Sequence, residues 1–169
     1  MSRHRALIIG LSAIILFGHT IAAAEAQDLP TRKVLPLALA LEAADRAVAA
    51  CAAKGFRVSA AVVDRSGVAL AVLRHANAGP HTIDSATKKA YTAASLRRST
   101  LGFANFIAGK PAIHGLRFMN ENILILGGGL PIKAGKEVIG GIGVGGAPGG
   151  DKDQACARAG IDKIKKRLQ

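Results

Sequence analysis

Aromatic residues are scarce in this chain: there is no Trp, one Tyr and five Phe among 169 residues. Stacking platforms for single-stranded nucleic acid are therefore nearly absent, and the basic residues are scattered apart from the tail Lys163, Lys165, Lys166 and Arg167. No nucleic acid is expected as a partner. Acidic residues are also few, 11 against 23 Lys and Arg, giving a formal charge of +12. A protein this basic favours anionic partners such as carboxylates, phosphates or acidic headgroups. Cysteine is limited to Cys51 and Cys156, too few for a structural zinc site, and no His stands at ligand spacing from either. In an oxidising compartment the two can form a disulfide closing a loop of roughly 100 residues; otherwise they are two buried small hydrophobes. Long apolar runs are missing after residue 17, so no transmembrane segment is expected in the mature chain.

The first 26 residues are a separate matter. Arg3, His4 and Arg5 form a basic n-region, Ala6 to Phe17 an apolar h-region, and Ala24-Glu25-Ala26 an A-x-A cleavage site. Gly18 and His19 stop the apolar run below the ~20 residues that span a bilayer. Residues 1–26 are thus expected to be a signal peptide cleaved near Ala26, and 27–169 a single periplasmic or secreted domain. Cleavage leaves 143 residues and removes Arg3, Arg5 and Glu25, so the charge falls to +11. That length suits one domain with a real core.

Glycine is abundant, with 20 residues, and concentrated from Gly140 to Gly150. Gly141, Gly143 and Gly146 spell G-x-G-x-x-G after an apolar strand, the nominal dinucleotide fingerprint. That reading needs a following strand with an acid about 20 residues on. Only 23 residues follow Gly146, and one helix uses them up. No P-loop is present either. The glycines instead read as close backbone approach along a strand, then a tight passage into a helix.

Patterning supplies the elements. Leu37, Leu41, Ala44, Val48 and Cys51 make an amphipathic helix stripe, stopped by Gly55 at C′. Val58–Val63 and Val68–Arg74 flank the turn Asp64-Arg65-Ser66-Gly67 as a hairpin. Thr82 is placed to N-cap a helix from about Ile83 to Arg97, with Asp84 near its positive end. Short helices are expected around Phe103, Phe106 and Ile107. Ile123–Leu126, Leu130–Lys133 and Val138–Val144 read as strands, and Asp151 with Gln154 forms a capping-box pattern before the last helix. The order α-β-β-α-(α)-β-β-β-α predicts an α+β fold: a five-stranded, mainly antiparallel sheet with flanking helices, the two terminal helices on one face.

Five ordered blocks then identify a resemblance. They are Val63-Asp64-Arg65-Ser66-Gly67, Gly79-Pro80-His81-Thr82, Lys89-Ala90-Tyr91-Thr92-Ala93, Gly127 to Ile132, and Ile139 to Ala147. Together, over about Leu35 to Ile161, the chain resembles the GlcG/HbpS-type heme-binding family. The resemblance implies a profilin-like or roadblock-like α/β sandwich, a homo-oligomer and a heme cofactor; some members are described as heme-degrading.

Heme needs an axial iron ligand and cations for two propionates. Three histidines follow the signal peptide: His75, His81 and His114. His81, in the family-like Gly-Pro-His-Thr block, is the expected metal ligand, weighed against a plain helix-start residue. Arg74 and Lys89 are candidates for the propionates. Tyr91, the lone Tyr, is a further candidate or a core residue. Arg97, Arg98 and Thr100 match a family-like block loosely, and Arg98 and Thr100 join the heme-binding candidates. No nucleophile elbow or H-E-x-x-H occurs, so catalytic residues are not assigned. The expected function is a binding protein for heme or a related anionic ligand. Heme degradation or redox chemistry, and organic-acid binding without heme, are the alternatives.

Overall fold

The computed structural model describes residues 27–168, and the elements below lie in the compact unit that begins at Arg32. The signal-peptide expectation falls outside the described residues. The elements are α1 (Leu37–Ala52), β1 (Ser59–Asp64), β2 (Ala69–Arg74), α2 (His81–Leu96), α3 (Thr100–Ala108), a 3-10 stretch (Pro111–Phe118), β3 (Gly129–Ala134), β4 (Glu137–Gly145), α4 (Gly150–Ile164) and a 3-10 turn (Lys165–Arg167).

The sheet is antiparallel with strand order β2-β1-β4-β3. It has four strands, not the five expected. Ile123–Leu126 is not a strand. Its Leu124 N–H donates 2.8 Å to Thr92 Oγ1 on α2, while Ile123 and Ile125 are buried in a small apolar cluster with Phe103 and Ile107. The segment's backbone is satisfied by a helix side chain, so its apolar residues serve the α3 cluster rather than a sheet edge.

Alternation along β1 splits the core into two. Ala60 and Val62 pack with α1 and α4, whereas Ala61 and Val63 pack with Ala86, Ala90 and Ala94 of α2. The terminal helices therefore share one face, as expected, and α2 covers the other. The α1 stripe is rotated from its expected phase: Leu39, Ala40, Ala43, Ala44, Ala47 and Cys51 are buried, while Leu37 and Leu41 are exposed. Alanines face inward because α4 comes close; a Cβ on Gly160 would collide with the Ala43 carbonyl oxygen. Gly55 ends α1 as expected, at φ 79°, with Phe56 N–H donating to Cys51 O and Gly55 N–H to Ala52 O.

On the opposite face the glycine-rich β4 lets α2 lie almost on the sheet backbone. A Cβ on Gly143 would collide with the Ala86 carbonyl oxygen, and one on Gly141 with that of Ala90. Neither neighbour is a side chain that could swing away. Gly143→Ala is expected to cost about 1–3 kcal/mol by forcing the backbone apart, measured as a lowered denaturant midpoint. An unchanged midpoint would contradict the close packing.

The helix starts also differ from the sequence expectation. Thr82 does not cap α2, which already begins at His81 after Pro80; its hydroxyl donates 2.6 Å to Gly79 O and bonds Ser59 Oγ at 2.7 Å. The Asp151–Gln154 capping box does not form. The N-cap of α4 is Gly149, without a side-chain cap bond, and Gln154 accepts instead from Ser99.

Candidate functional site

The start of α2 and the start of α4 meet where β4 ends. Between them lies a cavity of about 410 Å³ lined by His81, Ser85 and Lys89 of α2, Leu126, Gly146, Ala147, Gly149, Gly150 and Asp153. Beneath it Lys89 is 2% exposed and Asp153 is 3% exposed. Lys89 Nζ donates 2.8 Å to Asp153 Oδ2 and 3.0 Å to Val144 O. Asp153 Oδ1 accepts from Ala147 N–H at 2.9 Å. One buried carboxylate thus holds both the lysine and the turn between β4 and α4. Burial pushes the Asp153 carboxyl above the usual carboxylate range, and the Lys89 ammonium opposes that shift only in part.

His81 is exposed at this cavity, and its ring engages no partner among the described residues. The other two histidines are occupied. His75 Nδ1 accepts from Asn77 N–H at 3.1 Å, and His114 Nε2 lies 2.9 Å from Ile107 O. The Thr82 side chain, anchored to Ser59 and Gly79, fixes the helix turn on which His81 sits.

Of the sequence candidates, the structure brings only His81 and Lys89 together. Arg74 lies at the end of β2, exposed, with its guanidinium donating to the carbonyls of Ala76 and Ala78. Lys89 is committed to Asp153, so neither cation is presented as a free propionate partner. Tyr91 packs beside the α3 cluster and against the Gly67 turn. Thr100 is fully buried, its hydroxyl accepting from Gly129 N–H at 2.8 Å. Arg98 stands over the rings of Phe103 and Phe106, at 5.1 and 5.8 Å, beside a different groove. The expected bridge is present: Cys51 and Cys156 are joined, with Cα atoms 5.5 Å apart.

Asp153 was missed by sequence reasoning. Its signal was legible, since it sits four residues before Ala157 on the buried face of α4. An acid on an apolar stripe calls for a buried cation, and Lys89 occupies the corresponding place on the α2 stripe. Among the described residues no group of three or more His, Cys, Asp and Glu could hold a metal ion, and no helix is long and apolar enough to cross a membrane.

Residues 35–162 match the family model described as "Haem degrading protein HbpS-like". A crystal structure of a double mutant of Streptomyces reticuli HbpS is 41% identical, with a TM-score of 0.75 over 86% of this chain and 97% of that one. A Citrobacter freundii relative, an uncharacterized 15.0 kDa protein of the dhaT-dhaS intergenic region, is 32% identical over 129 residues, 73% of this chain and 90% of its own. A PduOC:heme complex shares the fold at 23% identity and a TM-score of 0.72, covering 78% of this chain and 96% of that one.

Proposed function

The chain belongs to the HbpS-like family, and from that premise we propose that it is a secreted or periplasmic heme-binding protein in which His81 would ligate the iron. The observation that carries the site is the unengaged His81 imidazole at a cavity floored by glycine backbone. A neutral imidazole is a common iron ligand. The glycines at 146, 149 and 150 leave that wall without bulky side chains, which suits a flat ring. The heme complex of a fold relative supports the same ligand class. Heme bound here would supply an iron centre. The chain's own part is to hold the ring: Thr82 and Ser59 position His81, and the Lys89–Asp153 pair keeps the β4–α4 passage rigid.

Titrating the protein with heme should give a Soret band, and His81→Ala should shift that band and weaken binding at least about tenfold, ~1.4 kcal/mol. Identical spectra and affinities for the two proteins would remove His81 from the site. The family description favours a second reading, heme degradation. Loss of the Soret band on incubating the loaded protein with reductant and oxygen would support it, and a persistent band would leave binding alone. The Cys51–Cys156 bridge supports export to an oxidising compartment. Homo-oligomerisation rests on family resemblance and on exposed apolar side chains such as Val72 on the edge strand β2.

A further inference from the structure

A second concavity, of about 640 Å³, lies away from His81, between the end of α2, strand β3 and the last turns of the chain. Its cations are Arg97, Arg98, Lys133, Arg158 and Lys165, against one carboxylate, Asp162. They come from the end of α2, from β3, and from α4 with the turn that follows it, so folding collects three stretches that are distant in sequence.

The ion pairs among the described residues all lie elsewhere. Arg65 has Glu137, Lys88 has Asp84, Lys89 has Asp153, and Lys163 and Arg167 share Glu42. The side chains of Arg97, Lys133, Arg158 and Lys165 have no ion-pair or hydrogen-bond partner among the described residues, and Asp162 bridges to none of them. Arg98 is held by the faces of Phe103 and Phe106 rather than by an acid. Five like charges around one concavity repel, and they focus a positive field into it.

A second observation is backbone strain at the same place. Arg97 is the one described non-glycine residue at positive φ, 55° with ψ 30°. The left-handed conformation is strained for an L-residue with a side chain, and a helix end of this kind ordinarily takes Gly or Asn. Here an arginine stands at the groove instead. The groove also has an apolar side, from the half-buried Pro131 and Leu168 over the buried Leu130 and Ile161. An apolar wall beside unpaired guanidinium groups matches a carbon skeleton bearing several carboxylates, since Arg binds carboxylate oxygens in a fork. Inorganic phosphate would leave the wall unused.

We propose that this groove is a binding site for a small organic polycarboxylate, separate from the His81 cavity. The probe is trimellitate, a flat tricarboxylate, titrated calorimetrically into the full-length mature protein with inorganic phosphate as a parallel arm. Trimellitate should bind more tightly than phosphate and weaken with added salt. Arg158→Glu, at an exposed position, should weaken it at least about tenfold, and Lys133→Gln should weaken it by a smaller factor. His81→Ala should leave it unchanged, and Arg158→Glu should leave the heme titration unchanged. Failure of heme binding would thus not touch this site. Absent trimellitate binding, equal binding of phosphate, or undiminished binding in a folded Arg158→Glu protein would each overturn the proposal. So would a loss of trimellitate binding in His81→Ala.

Discussion

Replacing Lys89 by Met is expected to lower the unfolding free energy by about 3–5 kcal/mol, the range for breaking a buried ion pair from one side. The substitution keeps most of the side chain's volume. What it removes is the positive charge beside Asp153, which is 3% exposed and is otherwise held by backbone N–H groups such as that of Ala147. The carboxylate must then stay charged without its counter-ion or take up a proton, and either costs free energy. The double variant Lys89→Met/Asp153→Asn removes both charges and should recover most of the loss. Urea unfolding of the two single variants and the double variant closes the cycle. A coupling energy below about 0.5 kcal/mol would mean the two residues act independently, contrary to their contact.

The same pair makes a signed pH prediction. Because the folded-state pKa of Asp153 is raised, the native state holds that proton more tightly than the unfolded chain does. Its contribution to stability is full below the unfolded value of about 4 and is lost as pH rises through the folded value. Glu42 runs the other way. Its pKa is lowered by its hydrogen bond to Arg167, so its contribution is present above the unfolded value and is lost as pH falls through the folded one. Comparing stability against pH for Asp153→Asn and the parent isolates the first effect. The parent curve should fall relative to the variant curve across that window.

How far these features were legible depended on whether the signal was local. The Asp64–Gly67 turn was readable because one side chain closes it: Asp64 Oδ1 accepts from Ser66 and Val68 N–H. Gly141 and Gly143 were readable as close-approach positions, but not that α2 was the element approaching. The α1 stripe was misplaced in phase because leucine outweighs alanine in any apolar pattern. Which face turns inward is decided by how near α4 can come, and Gly160 decides that from far along the chain. The capping box at Asp151 and Gln154 was sound by spacing yet lost to tertiary partners: Asp153 binds Lys89 and Ala147, and Gln154 binds Ser99. The site candidates scattered for the same reason. Sequence blocks name residues of a kind, and only the crossing of α2 with the β4–α4 passage puts His81 and Lys89 at one cavity.

Removing the disulfide with Cys51→Ala and Cys156→Ala together should lower stability by about 4–5 kcal/mol, the chain-entropy figure for a loop of roughly 100 residues. The bridge joins α1 near the start of the domain to α4 near its end, a separation of 105 positions, so it restrains nearly the whole unfolded chain. For a domain of this size each kcal/mol is worth roughly 3–5 °C, so the midpoint should fall by roughly 12–25 °C. Part of the loss is packing, because both cysteines lie in the α1–α4 core, at 0% and 1% exposure. Serine in place of alanine would add unsatisfied hydroxyls, and alanine therefore gives the cleaner measurement. Reducing the parent protein should reproduce most of the drop, and a fall below about 1 kcal/mol on both routes would show that the two helices hold their register without the bridge. The bridge sits in the α1–α4 layer whereas His81 sits on α2, across the sheet. At temperatures where the alanine variant is still folded, it should therefore take up heme with the parent's affinity, which separates the role of the bridge from that of the candidate site.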